Sequence, residues 1–180
     1  MWTWVLGGAQ DGAAKDIRDR TQRAADQVIA RSAQNGYRIG LVASDYIWGS
    51  NSLAANYGVQ LVVANAMHPD ARYVNAAMDN LHYLLGRNTF SLSWVTWVGE
   101  NAFQHPHHRP SGADGIDAPW PGLLSGGPNS DRQDAILKAL PELPPAKIYV
   151  DSQNSYASNE NAINWNAALV FLLASTLPAN

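Results

Sequence analysis

The sequence predicts an all-α protein. Apolar residues recur at helical spacing in several long segments. Start and stop signals bracket those segments. No alternation of strand and helix patterns runs through the chain, and little strand signal exists beyond residues 93–98.

The first helix is expected over residues 13–34. Ile17, Ala24, Ala25, Val28, Ile29 and Ala33 share a stripe. Asp16 and Asp19 stand four residues before Arg20 and Arg23, a spacing for solvent-side ion pairs. Asn35-Gly36 is a helix stop. A loop rich in aromatic and small polar residues follows, Ser44-Asp45-Tyr46-Ile47-Trp48-Gly49-Ser50-Asn51. The second helix, over 52–67, ends before Pro69. It is apolar on nearly all sides, which predicts burial on more than one face and packing against neighbours beyond this chain. Asp70 caps a third helix with Val74, Ala77, Met78, Leu81, Leu84 and Leu85 on one stripe, and Gly86 ends it.

Residues 87–129 lack a helical pattern and contain five Pro and three Trp. A loop of this length within a compact domain is uncommon and usually functional. Trp94, Val95, Trp97, Val98, Phe103, Trp120 and Leu123 argue against a disordered linker. A short helix over 131–140 ends at Pro141, a turn covers 142–145, and a last helix over 159–175 opens with Asn159-Glu160.

The chain has 180 residues, enough for one domain with a sizeable core. With 46% hydrophobic and 15% charged residues it should fold. A net charge of -3 argues against a nucleic-acid partner. Without cysteine there is neither a disulfide framework nor a thiolate zinc site. No stretch reaches the roughly 18 apolar residues needed to cross a membrane, and Met1-Trp2-Thr3-Trp4 lacks the basic start and apolar run of a signal peptide. Seven Trp are many for this length. They point either to a Trp-rich core or to aromatic surfaces suited to the C–H faces of sugar rings.

Two features could carry chemistry. His105-Pro106-His107-His108-Arg109-Pro110 is a proline-stiffened loop of imidazoles and a guanidinium, suited to binding hydroxyl groups. The histidine spacing matches no helical metal motif, so a metal-binding reading is the weaker one. Glu160, at the expected start of the last helix, is a candidate acid. A helix N-terminus stabilises the charged carboxylate, so proton donation there would require desolvation, for which Trp165 and the apolar residues after it are available. Asp114 and Asp117 fall short of a calcium loop and read as turn aspartates. Asn164 and Asn166 are either hydrogen-bonded core amides or cleft-facing groups.

Several motifs occur in a fixed order: Tyr46-Ile47-Trp48-Gly49-Ser50-Asn51, Leu84-Leu85-Gly86-Arg87-Asn88, Ser93-Trp94-Val95-Thr96, Pro106-His107-His108-Arg109-Pro110-Ser111, Gly126-Gly127-Pro128-Asn129, and Asn159-Glu160 followed by Asn164-Trp165-Asn166-Ala167. Together they resemble the C-terminal part of the catalytic domain of family 9 glycoside hydrolases, inverting enzymes that cleave β-1,4-glucans, and most closely the cellobiohydrolase-like branch. The resemblance covers almost all of residues 1–180. It implies a partial (α/α)6 barrel, roughly the last two-fifths of the six-hairpin toroid, with long functional loops. It also implies Glu160 as general acid and His107, Arg109, Trp165 and Trp97 as substrate-binding residues. Trp97 stands where the family usually has Gly, and would narrow the cleft or add a stacking platform.

The family's Asp-Ala-Gly-Asp motif, which carries the catalytic base, has no counterpart. The nearest string, Ala9-Gln10-Asp11-Gly12-Ala13, lies in a different context. The expected substrate is a β-1,4-glucan or cellooligosaccharide, with no cofactor in this chain, although the full-length family domain admits calcium. A secreted parent protein is implied. The chain reads as a hydrolase fragment, inactive by itself and prone to self-association. Two alternatives are a carbohydrate-binding helical module, which would bind glucan without releasing reducing sugar, and a helical scaffold, whose Trp fluorescence would ignore cellooligosaccharide.

Overall fold

The computed structural model describes residues 1–178. Its helices are α1 (Trp2–Leu6), α2 (Gly12–Ser32), α3 (Ser50–Met67), α4 (Ala71–Leu84), α5 (Arg109–Ala113), α6 (Ala135–Lys138), α7 (Tyr156–Asn159) and α8 (Ile163–Ala174), with 3-10 turns at Ala43–Asp45 and Pro145–Lys147. Among the described residues there is no β-strand. The strand signal of 93–98 appears only as isolated bridges, Ser93 to Ala102 and Val95 to Leu124.

Local chemistry sets the helix boundaries. The Asp11 carboxylate accepts the Ala14 N–H at the start of α2, and Asp70 accepts the Arg72 N–H at the start of α4. The expected Asp16–Arg20 pair forms at 2.8 Å, whereas Asp19 pairs with Lys15 at 2.7 Å rather than with Arg23. The buried side of α2 consists of Ala14, Thr21, Ala25, Val28 and Ser32, while Ala33 is exposed. In α4 the core stripe includes Tyr73, Ala76, Ala77, Leu81, Tyr83 and Leu84, and Val74 points to solvent.

The central element is α3, packed against α2, α4 and α8. This explains why its sequence has no polar face: Ala54, Ala55, Gly58, Leu61, Val63 and Ala64 are all buried. At Gly58 a Cβ would lie 2.6 Å from a Leu172 methyl, so glycine lets α3 and α8 approach closely. Because α3 is covered within the chain, the unpaired apolar surface lies elsewhere than expected. It is on α8, where only Ala168, Leu169 and Leu172 are buried and Ile163, Val170, Phe171 and Leu173 remain exposed.

Residues 87–129 form an ordered, mostly irregular layer. Asn88 ties its start, donating to the Tyr83 and Leu92 carbonyls and accepting the Phe90 and Leu92 N–H groups. The fully buried Trp94 anchors it to the helical core, edge-on to Tyr149 at 4.6 Å and to Phe90 at 5.8 Å. The short α5 also interrupts this layer, with the His108 imidazole as its cap and Pro110 in its first turn. Of the seven Trp, Trp94 is core and Trp165 is partly buried, while Trp2, Trp4, Trp48, Trp97 and Trp120 are exposed.

Candidate active site

The structure moves Glu160 away from the start of the last helix. Helix α8 begins at Ile163 with Ala162 as its cap, and Glu160 instead follows α7 in an extended conformation, φ -60° and ψ 151°. The dipole of α8 is therefore not what surrounds its carboxyl. The buried Asp134 sets up this arrangement. One oxygen accepts the Leu137 N–H at 2.7 Å and caps α6, and the other accepts the Ser155 hydroxyl and the Ala157 N–H, each at 3.0 Å, and so fixes the start of α7.

Three motif segments then meet through their main chains. The His107 N–H donates to the Asn159 carbonyl at 2.9 Å, in a parallel bridge between His107 and Glu160. From the other side, the Gly126 N–H donates to the Glu160 carbonyl at 2.8 Å, and the Gly127 N–H to the Ser158 carbonyl at 2.8 Å. The Gly126 carbonyl in turn accepts the Asn51 N–H at 3.0 Å, and the Asn51 amide donates to the Ser125 carbonyl at 3.0 Å. Gly127 has φ 91°, and its missing Cβ leaves room for the Asn51 side chain, 2.4 Å from where that atom would be. Glu160 is thus held by backbone on both sides. Its half-buried carboxylate has no hydrogen bond or ion pair among the described residues.

His107 presents a defined tautomer. Its Nδ1 lies 2.7 Å from the Gln153 carbonyl, an acceptor only, so Nδ1 carries the proton and Nε2 of the neutral ring can accept. Asp151 steadies the strand of loop before it, accepting the Gln104 and His105 N–H groups at 2.8 and 2.9 Å. The Arg109 guanidinium, at the start of α5, is exposed and makes no hydrogen bond among the described residues. The three clustered histidines have separate partners: Asp151 for His105 at 3.5 Å, Gln153 for His107, and Ser111 for His108 at 2.9 Å. Among the described residues no group of three or more His, Cys, Asp or Glu is placed to hold a metal ion. Both Asp114 oxygens already accept N–H groups, from Ile116 and from the Trp120 indole, so this loop does not form a calcium site.

Aromatic side chains border the site. The rings of His107 and Tyr156 are 6.0 Å apart, and those of Tyr156 and Trp48 are 5.6 Å apart. Trp48 and Tyr156 are both exposed. The Trp165 ring is wedged against Gly49 and Gly126, tying the end of the aromatic loop to the segment that pairs with Glu160. Asn166 is a structural amide, accepting the Leu124 N–H at 3.2 Å and donating to the Gly122 carbonyl at 2.6 Å, whereas Asn164 is exposed. Trp97 lies on the far side of the histidine loop, 65% exposed, next to Trp120.

Sequence reasoning missed Trp48, Asp134, Asp151, Tyr156 and Asn159 as site-building residues. Tyr156 could have been found from its place four residues before Glu160, and Trp48 from its motif. Asp134 and Asp151 give no local signal, because their partners lie 21 to 23 and 46 to 47 residues away in sequence.

Comparison with known proteins places this arrangement in a family. The family model described as Glycosyl hydrolase family 9 matches residues 3–173. The chain is 39% identical to Endoglucanase D of Acetivibrio thermocellus, an alignment covering 100% of this chain and 27% of that protein. It is 41% identical to a xyloglucan-specific endo-beta-1,4-glucanase of Bacteroides ovatus, over 99% of this chain and 31% of the relative. The crystal structure of GH family 9 endoglucanase J30 superposes with a TM-score of 0.89 at 36% identity, covering 96% of this chain and 32% of that one. The chain thus spans about a third of the length of such relatives, and its helices correspond to part of their (α/α)6 barrel. With the match extending over nearly all of its length, the chain belongs to glycosyl hydrolase family 9.

Proposed function

We propose that the protein containing this chain hydrolyses β-1,4-glucosidic bonds in cellulose or a related β-glucan, with inversion at the anomeric carbon. The chain forms the C-terminal part, residues 1–180, of a single catalytic domain. Glu160 is the general acid that protonates the leaving oxygen. His107 and Arg109 hydrogen-bond sugar hydroxyls, and Trp165 and Trp97 provide apolar surface to the rings. The single observation supporting this reading most strongly is the backbone bridge that fixes Glu160 beside His107 while its carboxylate has no partner. A fixed, half-buried carboxyl next to an imidazole acceptor and exposed aromatic rings can donate a proton to a bound sugar.

An inverting hydrolase needs a second carboxylate about 6.5–9.5 Å from the first to activate water. Asp151, in the loop that carries His107, already accepts two backbone N–H groups. The base therefore belongs to a segment outside these residues. The activity requires no cofactor in this chain, and the relatives named above support a secreted protein acting on polysaccharide.

The test is Glu160→Gln in an active protein containing the chain. General acid catalysis contributes about 10²–10⁴-fold, so hydrolysis of cellooligosaccharides should drop by that range while binding persists. An aryl cellobioside with a good leaving group should lose much less, because its departing oxygen needs little protonation. Equal turnover of cellooligosaccharides by mutant and parent would remove Glu160 from this role.

A further inference from the structure

Trp97 has a left-handed backbone, φ 65°. For a bulky L residue this is an outlier that local sterics oppose, and such strain persists only where the surroundings over-determine it. Here they do. The Trp97 indole N–H donates to the Pro119 carbonyl at 2.6 Å. The Thr96 hydroxyl donates to the Trp120 carbonyl at 2.6 Å and accepts the Leu123 N–H at 2.9 Å, joining the two tryptophan segments.

Trp120 is fixed in the same manner. Its indole N–H donates to Asp114 at 2.7 Å, and its backbone N–H to the Ser111 hydroxyl at 3.1 Å. The rings nevertheless remain 65% and 47% exposed. A side chain recruited only for packing would bury its ring. These two satisfy their N–H groups internally and present apolar faces outward.

We propose that Trp97 and Trp120 form an additional carbohydrate subsite, separate from the one around Glu160, that stacks against the C–H face of a pyranose ring in an extended β-linked glucan. The inference rests on the glucan-hydrolase reading above and extends it to a longer chain of sugar units. Two features favour sugar as the occupant. An indole with its N–H already bonded offers only a flat apolar surface, which matches the axial C–H face of an equatorially linked glucose residue. The platform is also continuous with the proposed sugar-binding loop, since the Trp120 ring packs edge-on against His108 at 5.2 Å, and His108 directly follows His107. Asp114, held in its charged form by the Ile116 N–H and the Trp120 indole N–H, lies at the platform's edge, where it can accept from sugar hydroxyls.

The test uses the protein containing this chain, with cellobiose and cellohexaose as probes in calorimetric titrations. Trp97→Gly should weaken cellohexaose binding about tenfold, with cellobiose binding nearly unchanged, because a short ligand fills only the subsites near Glu160. The same variant should melt at a higher temperature, since glycine tolerates the left-handed backbone. Trp97→Asn removes the ring while still tolerating that backbone, and should show the same binding loss. Trp120→Ala should also selectively weaken cellohexaose binding.

If all three variants bind cellohexaose as the parent does while Arg109→Ala binds both probes less well, the subsite proposal is wrong and the glucan-hydrolase reading stands. If the parent binds neither probe, both are wrong. If Trp97→Gly alters the association state and leaves glucan affinity unchanged, the platform is a protein contact and the proposal is overturned.

Discussion

The buried phenol of Tyr149 donates a 2.5 Å hydrogen bond to the side-chain oxygen of Asn159, the residue immediately before Glu160. The same Asn159 amide donates to the carbonyls of Val150 and Ser152. Tyr149 itself packs edge-on to Trp94 and Phe90 in the main core. The helical core thereby reaches the proposed acid through one hydroxyl and one amide.

Tyr149→Phe should leave the Asn159 oxygen buried without this donor. Such an unsatisfied acceptor costs about 1–3 kcal/mol, measurable by denaturant unfolding. In an active protein kcat should fall with KM little changed, because the acid is displaced and the sugar-binding loop is not. Equal kcat in mutant and parent would show that Asn159 holds its place without Tyr149.

Asp151→Ala should act on binding. It removes the acceptor for the Gln104 and His105 N–H groups and frees the loop leading into His107. Small misplacement of a positioned group can cost up to about a hundredfold in rate. Kinetics with cellooligosaccharides should show KM rising as well as kcat falling, while His105→Ala, which loses only the 3.5 Å contact to Asp151, has a minor effect. A larger effect from His105→Ala would reverse this assignment.

Residues 1–180 expressed alone should self-associate and show no glucanase activity. The exposed Ile163, Val170 and Phe171 on α8 form an apolar face without polar relief. Light scattering should report oligomers, and Val170→Lys with Phe171→Lys should shift them toward monomer. A monomeric parent chain that releases reducing sugar would contradict both the surface argument and the location of the base elsewhere.

Alkaline pH should destabilise the fold more steeply than exposed tyrosines would. Burial raises the Tyr83 and Tyr149 phenols well above their usual range, with neighbouring Tyr46 and Asp151 adding to it respectively. Above about pH 10 the unfolded chain deprotonates these phenols and the folded chain does not, so stability is intact below that pH and falls as pH rises. Each group adds a slope of about 1.4 kcal/mol per pH unit. Unfolding at pH 9 and pH 11 should show this, and Tyr83→Phe should reduce the difference.

The helices were legible where apolar spacing and a cap coincide. Asp70, at the start of α4, and the all-round apolar α3 are examples. The end of the chain was less legible. The apolar run of α8 extends back in sequence past a break at Glu160 and Asn161, because the backbone of Glu160 is pulled into pairing with His107 and Gly126, and periodicity does not register such distant partners. The exposed side of α8 was hidden for a similar reason: α3 and α8 are both apolar all round, and only the packing of α2, α4 and α8 around α3 decides which is covered. The motif residues His107, Arg109 and Glu160 were readable as a set, and His107 and Glu160 are neighbours in the structure. The groups supporting them, Asp134 and Asp151, were not readable.

The main-chain junction around Glu160 also has a kinetic meaning. It joins residues 53 positions apart for His107 with Glu160, and 74 to 78 apart where Ser50 and Asn51 reach Pro128 and Ser125. Helices α2, α3 and α4 can form from local contacts early in folding, whereas this junction requires closure of long loops and is expected to assemble late. A folding intermediate with full helical content would then still lack an oriented acid. Recovery of the far-ultraviolet helical signal should precede recovery of the site, and the interval between them would measure how long the molecule remains helical but catalytically unformed.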